Sequence, residues 1–279
     1  MTPRRMHQKD LVTTLDWARQ EGWNPGRDDA RLFLSADPEG FLIADHEGAP
    51  AASISLVGVG PGHAFLGLFI CRADLRGRGL AGPLWDAAMA QAQGRSVGLD
   101  GVVAQQGRYA AQGFRATHRT LRFAGIAPAR SGGDEGRSEA IVAADLPAIR
   151  ALDRQATGFD RPGFLSVWMQ PRDGHVVHLI RDGTEAAAVG VLRACDVGWK
   201  IGPLLARSAE AARAVLHDLV ALAQGDRIMI DVPDDQPDAA ALARSLGLAP
   251  VFETARMWNG PPPPRGTGME YGVATLELG

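Results

Sequence analysis

The sequence predicts an α+β chain built from two similar units, each a mixed, mostly antiparallel sheet flanked by helices. Three observations lead there. Strand-like and helix-like stretches follow one another in much the same order in both halves. Landmark residues recur at a near-constant offset: Gly67 with Gly202 and Arg72 with Arg207 at 135 positions, Gly113 with Gly247 at 134, and Gly125 with Gly260 at 135. Between the halves, residues 127–137 (APARSGGDEGR) are rich in Gly, Ser, Pro and charge, with no apolar period, and read as a linker. The expected units are therefore 1–126 and 138–279.

In the first unit, residues 10–20 place Leu11, Leu15 and Ala18 near helical spacing. Asn24-Pro25-Gly26 breaks the chain before a second helix over 27–34. Strands are expected over 41–45, 51–59 and 64–71, then a helix over 79–92, a strand over 96–99, a short helix over 105–112 and a strand over 116–123. In the second unit, Asp145 is an expected N-cap for a helix over 146–156. Strands over 175–181, 186–193 and 197–206 lead to an amphipathic helix over 209–223. A strand over 227–231, a helix over 238–246 and a strand over 251–258 follow. Four consecutive prolines in 260–268 exclude regular structure before a last strand over 272–278.

The chain has 279 residues, 46% hydrophobic and 22% charged, with a net charge of −3, which excludes a broadly basic nucleic-acid surface. No apolar run approaches the ~20 residues of a membrane helix, and no secretory leader follows the basic start, so the expected compartment is the cytoplasm. Cys71 and Cys195 belong to no CxxC, and His175 and His178 point to opposite faces of a strand, so neither a disulfide framework nor a metal site is expected. Lys9 and Lys200 are the only lysines among 29 basic residues. Asp160-Arg161 is expected to be an interdomain or surface ion pair.

The chemistry concentrates in residues 66–85, LGLFICRADLRGRGLAGPLW. A buried strand runs into a glycine-rich turn and then a helix. Gly77 and Gly79 lack Cβ, so backbone N–H groups can converge on a diphosphate; the helix dipole points there, and Arg76 and Arg78 add charged donors. The plain alternative is a strand-to-helix turn with surface arginines. The turn is not a Walker A loop, since no GK[ST] follows.

Arg76-Gly77-Arg78-Gly79-Leu80-Ala81 resembles the R/Q-x-x-G-x-G/A signature of the GNAT superfamily of acyl-CoA N-acyltransferases, and Tyr109-Ala-Ala-Gln-Gly113-Phe114 resembles its Y-x-x-x-G-F signature. Trp23-Asn24-Pro25-Gly26, Gly98-Leu99-Asp100-Gly101 and the closing Leu276-Glu277-Leu278-Gly279 are similar to a bacterial tandem-GNAT group, and the likeness spans nearly the whole chain. It implies two tandem GNAT-like domains and acetyl transfer from acetyl-CoA, as co-substrate and without a metal, to a primary amine of a small molecule. The strand edge at Phe69, Ile70 and Cys71 would meet the pantetheine arm, and Arg76, Gly77, Arg78, Gly79, Leu80 and Ala81 the pyrophosphate.

The resemblance also implies roles. Tyr109 would protonate the leaving thiolate; the alternative is an amphipathic ring over the core. Asp100, ending the strand that splays from the cofactor strand, is the candidate base; the alternative is a turn or N-cap. Trp23 and Asn24 would line the acceptor wall. Cys71 would contribute its backbone, not its thiol. The second half departs from the pattern, with Ala212 and Ala214 in place of the two glycines, so one CoA site is expected. No nucleic-acid or membrane partner is expected, and the chain would be a monomer or homodimer. A sensor that binds acyl-CoA without turnover is the competing reading, and peptide acetylation a third.

Overall fold

The computed structural model describes residues 2–129 and 137–279, so positions 130–136 of the expected linker lie outside the described residues. The first half runs β1 (Pro3–Arg5), α1 (Gln8–Gln20), α2 (Asp29–Ala36), β2 (Phe41–His46), β3 (Ala49–Gly58), β4 (His63–Cys71), α3 (Gly82–Gln91), β5 (Ser96–Val102), α4 (Gln106–Ala111) and β6 (Arg115–Ile126). The second half runs β7 (Glu139–Ala140), α5 (Leu146–Thr157), α6 (Pro162–Trp168), β8 (His175–Asp182), β9 (Glu185–Ala194), β10 (Trp199–Ala206), α7 (Ala209–Leu222), β11 (Arg227–Pro233), α8 (Pro237–Ser245), β12 (Ala249–Trp258) and β13 (Glu270–Gly272).

Local chemistry sets several boundaries. The Asp10 carboxylate accepts from the His7 N–H at 2.9 Å, which satisfies one orphan donor at the start of α1. Ser208 caps α7 by accepting from the Ala211 N–H. Asp145 does not cap α5 in this way; its carboxylate accepts from the Val142 N–H and from both ends of the Arg181 guanidinium. Gly79 has φ +72°, outside helical space, so α3 begins at Gly82, three residues later than expected. The last strand is Glu270–Gly272, so it ends where the expected strand over 272–278 would begin, and residues 273–278 are not a strand.

The two halves share one sheet of thirteen strands, in the order β1-β2-β3-β4-β5-β12-β6-β11-β10-β9-β8-β7, with β13 beside β10. The halves have exchanged strands. β12 lies between β5 and β6, and β6 lies between β12 and β11. β4/β5 and β10/β11 are parallel, and the other pairings are antiparallel. Thr120 and Thr254 sit opposite each other at the middle of the exchange and are equivalent in the repeat, so a pseudo-twofold axis passes between them.

That axis relates two buried ion pairs. Arg256 donates through Nε and Nη2 to the two oxygens of Asp100, at 2.9 and 2.7 Å. Arg122 does the same to Asp231, at 2.7 and 2.9 Å. Each pair ties a strand of one half to a strand of the other, and each guanidinium also covers a ring, Arg256 over Phe65 and Arg122 over Phe252. Asp231 also faces Lys200, and the cations hold its carboxyl below the usual range against the burial that opposes them.

One face of the sheet packs α3 and α4 in the first half and α7 and α8 in the second. The other face encloses α1, α2, α5 and α6 in a core common to both halves. There Phe33 of α2 stacks on Trp168 of α6, with centroids 6.1 Å apart. Arg161 is buried and paired with Asp153, not with its neighbour Asp160, which is exposed. Among the described residues, no helix is long and apolar enough to cross a membrane.

Three expectations follow. Asp231→Ala strands a buried guanidinium and should lower the unfolding free energy by about 3–5 kcal/mol. Because the halves share strands, unfolding followed by circular dichroism and by tryptophan fluorescence should remain one coincident transition; two separated transitions would contradict the exchange. The third concerns pH. Burial, with nearby cations, lowers the pKa of His118 to about 2 and that of His175 to about 4. Both stay neutral in the fold and charge on unfolding, so their contribution is complete above pH ~6.5 and fades as pH falls below it. Each should add up to about 1.4 kcal/mol per pH unit to the acid slope of the urea-derived stability, and His118→Gln should reduce that slope.

Candidate functional site

The site begins where two parallel strands part. β4 and β5 pair from His63↔Ser96 to Leu66↔Leu99. Beyond that rung β4 stays with β3, while β5 stays with β12. The β3/β4 register slips between Ser53↔Ile70 and Ser55↔Gly67, where Leu68 has φ +47° and its carbonyl accepts from the Ser53 hydroxyl at 2.8 Å. A bulge of this kind re-aims the backbone that follows it. The edge of β4 past Gly67 therefore borders a V-shaped opening, with no strand opposite among the described residues.

At the open end of the V the chain enters the glycine turn. Its first residues are pinned: Arg72 grips Asp74 at 2.7 and 3.0 Å, and Arg76 donates from Nε to the Cys71 carbonyl at 2.9 Å and pairs with Glu21. After them the backbone is bare. Gly77 and Gly79 both have positive φ, and a Cβ at either position would meet no atom within 4 Å. The segment from Arg76 to Gly79 is exposed, Leu80 and Ala81 are half-buried, and α3 starts at Gly82 with its amino end toward the turn. This is a backbone cradle that no neighbouring atom crowds, beside a helix N-terminus with Arg78 exposed next to it, and its shape and charge suit a diphosphate.

Beneath the turn, Phe69 contacts Trp85 at 5.4 Å between centroids, and Trp85 stacks on Tyr109 at 6.0 Å. Burial raises the Tyr109 pKa to about 12, so the phenol keeps its proton at neutral pH. No described residue hydrogen-bonds its hydroxyl. Ile70 is buried in the shared core. Burial also pushes the Cys71 thiol up, which leaves it inert as a nucleophile.

Two candidates are engaged by residues of the second half. Asp100 lies on β5 just past the last rung, but both of its oxygens accept from Arg256 and its side chain is fully buried. It holds the halves together, with both oxygens engaged by that guanidinium. Asn24 does not face an open pocket with its amide. That amide donates to the Val197 carbonyl at 3.0 Å and accepts from the Val197 N–H at 3.2 Å, latching the loop to the second half. The Trp23 carbonyl accepts from Arg122 and from Lys200. The half-buried Trp23 ring packs against the shared core.

The second half has the same fork but closes it. β10 and β11 pair up to Ile201↔Ile230 and then part. β13 enters the gap and pairs with β10, and the Val273 N–H donates to the Asp231 carbonyl at 2.8 Å. Where the first half has its glycine turn, Ser208 starts α7 directly. Among the described residues, no three His, Cys, Asp or Glu side chains converge as a metal ion would require.

Sequence reasoning singled out neither Arg122 nor Arg256, although they recur at the repeat offset of 134. It also did not foresee that the closing segment would fill one fork.

Comparisons with known proteins agree with this architecture. Residues 9–114 match the Acetyltransferase (GNAT) family, and residues 149–272 match an Acetyltransferase (GNAT) domain. Holothin acyltransferase of Pseudoalteromonas sp. (strain SANK 73390) is 30% identical over 271 residues, covering 95% of this chain and 90% of that protein. A putative acetyltransferase from Pyrococcus horikoshii superposes with a TM-score of 0.83 at 20% identity, covering 99% of this chain and 95% of that one. A GCN5-related N-acetyltransferase from Sphaerobacter thermophilus superposes at 0.62 with 17% identity and 98% of both chains covered. With a matching fold, both signatures in place on one fork and a relative similar over nearly its whole length, the chain belongs to the GNAT acyltransferase family and carries two GNAT domains in tandem.

Proposed function

We propose that the protein moves an acetyl group from acetyl-CoA to a primary amine of a small molecule, using the fork of the first half as its single acyl-CoA site. The contrast between the forks carries this reading. One ends in a bare glycine turn with room for phosphate, whereas the other holds the chain's own β13 and ends in a capped helix. Arg78 and the N–H groups of residues 77–82 would hold the pyrophosphate, and the free edge of β4 from Phe69 to Cys71 the pantetheine amides. CoA supplies the activated thioester. The chain's task is to align it with the amine, exclude water and move protons.

Tyr109 is the proposed acid. Its raised pKa keeps the proton in place until the amine has attacked and a thiolate needs it. The loop carrying Trp23 is fixed by Arg122 and Lys200 and supplies one wall on the acceptor side. The relative's name makes holothin the first acceptor to test.

Calorimetric CoA binding and a thiol-release assay over an amine panel test the reading together. Binding with release supports it; binding without release for every amine would instead indicate a sensor. Gly79→Ala should weaken CoA binding at least tenfold, because a methyl enters the phosphate path. It should cost the fold only about 1 kcal/mol, the price of φ +72° for a residue with Cβ. Tyr109→Phe should lower kcat by about 100-fold with the KM for acetyl-CoA little changed. An unchanged rate would remove Tyr109 from the reaction.

A further inference from the structure

The segment after β13 crosses both forks and brings a different residue to each. In the second half Gly202 is the first residue of β10 past the last rung, and a Cβ there would lie 2.2 Å from the Val273 carbonyl oxygen. Gly67 holds the same place on β4, and a Cβ there would lie 2.0 Å from the Glu277 carbonyl oxygen. The two close approaches occur at equivalent glycines, and the segment advances four residues between them. The closed fork receives a valine, and the fork with the glycine turn receives a glutamate.

That glutamate is 3% exposed. One carboxylate oxygen accepts from the Thr275 hydroxyl, and no described residue hydrogen-bonds the other. Asp100, Arg122 and Lys200 lie within electrostatic range of it. Each of these is already engaged: Asp100 by Arg256, Arg122 by Asp231, and Lys200 by the Trp23 and Asn24 carbonyls. β4 itself, HAFLGLFIC, carries no carboxylate. Glu277 is therefore a buried carboxylate at this fork that accepts from no guanidinium among the described residues.

We propose that Glu277, delivered by the last segment of the second half, is the general base of the first half's acyl transfer. The proposal rests on the acyl-transfer reading given above. The neutral amine nitrogen forms a C–N bond to the thioester carbonyl carbon as the C–S bond breaks. Its surplus proton passes to the Glu277 carboxylate, and the departing thiolate takes a proton from Tyr109. Glu277 then returns its proton through solvent and Tyr109 is reprotonated, leaving an amide and free CoA thiol. The second half has lost its own CoA site and still contributes to the reaction through this one residue.

Glu277→Gln keeps the shape and the hydrogen bond from Thr275 while removing the basic oxygen. Its kcat should fall at least 100-fold, its CoA affinity should stay within twofold of wild type, and kcat/KM should lose its acid limb. A folded Glu277→Gln protein with wild-type turnover and an unchanged pH profile overturns the proposal. Should that variant not fold, Thr275→Val keeps the carboxylate and frees it to turn away. It should lower kcat at least tenfold and shift the acid limb, and a wild-type kcat with an unshifted limb likewise overturns the proposal. Wild-type protein that binds CoA and releases no thiol with any amine overturns the acyl-transfer reading itself, and the base assignment with it. Failure of the base assignment alone appears only when wild-type turnover is present.

Discussion

The exchange of β6 and β12 across the pseudo-twofold axis is the constraint from which the rest of the structure follows. Each half lacks the strand that would complete its own sheet and takes it from the other. The exchange places Arg256 on Asp100 and Arg122 on Asp231, deep in a sheet where an unpaired charge would be strongly destabilising. Buried ion pairs add little net stability over apolar packing, but they tolerate no slip, since a shift of one residue would turn each arginine to the opposite face. The two pairs thus fix the register of the exchange, and through it the position of both forks.

Once the forks are fixed, one segment is enough to make them different. At Gly202 and Gly67 the missing side chain lets the closing segment lie directly on the strand. In the second half the segment continues as β13 and seals the opening; in the first it meets the strand at a single point and leaves the edge of β4 free. Loss of the glycine turn in one half and closure of its fork are therefore two faces of one specialisation. The α1–α2 loop shows the same cross-bracing. Its carbonyls receive Arg122 and Lys200, and its Asn24 amide mimics a strand partner for Val197.

Much of this was legible in the sequence, and what was not has a common cause. The glycine turn, Tyr109 and the repeat were readable because each depends on local spacing: a φ that needs glycine, a ring one helical turn before Gly113, and landmarks at a fixed offset. The ion pair of Asp100 and the latch of Asn24 were not readable, because their partners, Arg256 and Val197, lie 156 and 173 residues away. No local pattern reports a contact at that distance. The helix start at Gly82 was missed by three residues because apolar periodicity carries on through a turn whose backbone has already left helical space. The two arginines did carry a signal, since Arg122 and Arg256 recur at the repeat offset, but arginine is so abundant in this chain that the recurrence does not stand out.

The strand exchange also bears on how the chain is made. On the ribosome β5 and β6 emerge more than a hundred residues before β12, so the first half leaves the exit tunnel with two open edges and no means of closing them. Domain-by-domain maturation is closed to such a chain. Its amino-terminal half must wait, as an incomplete sheet exposed to chaperones and to other nascent chains, until β12 has been made.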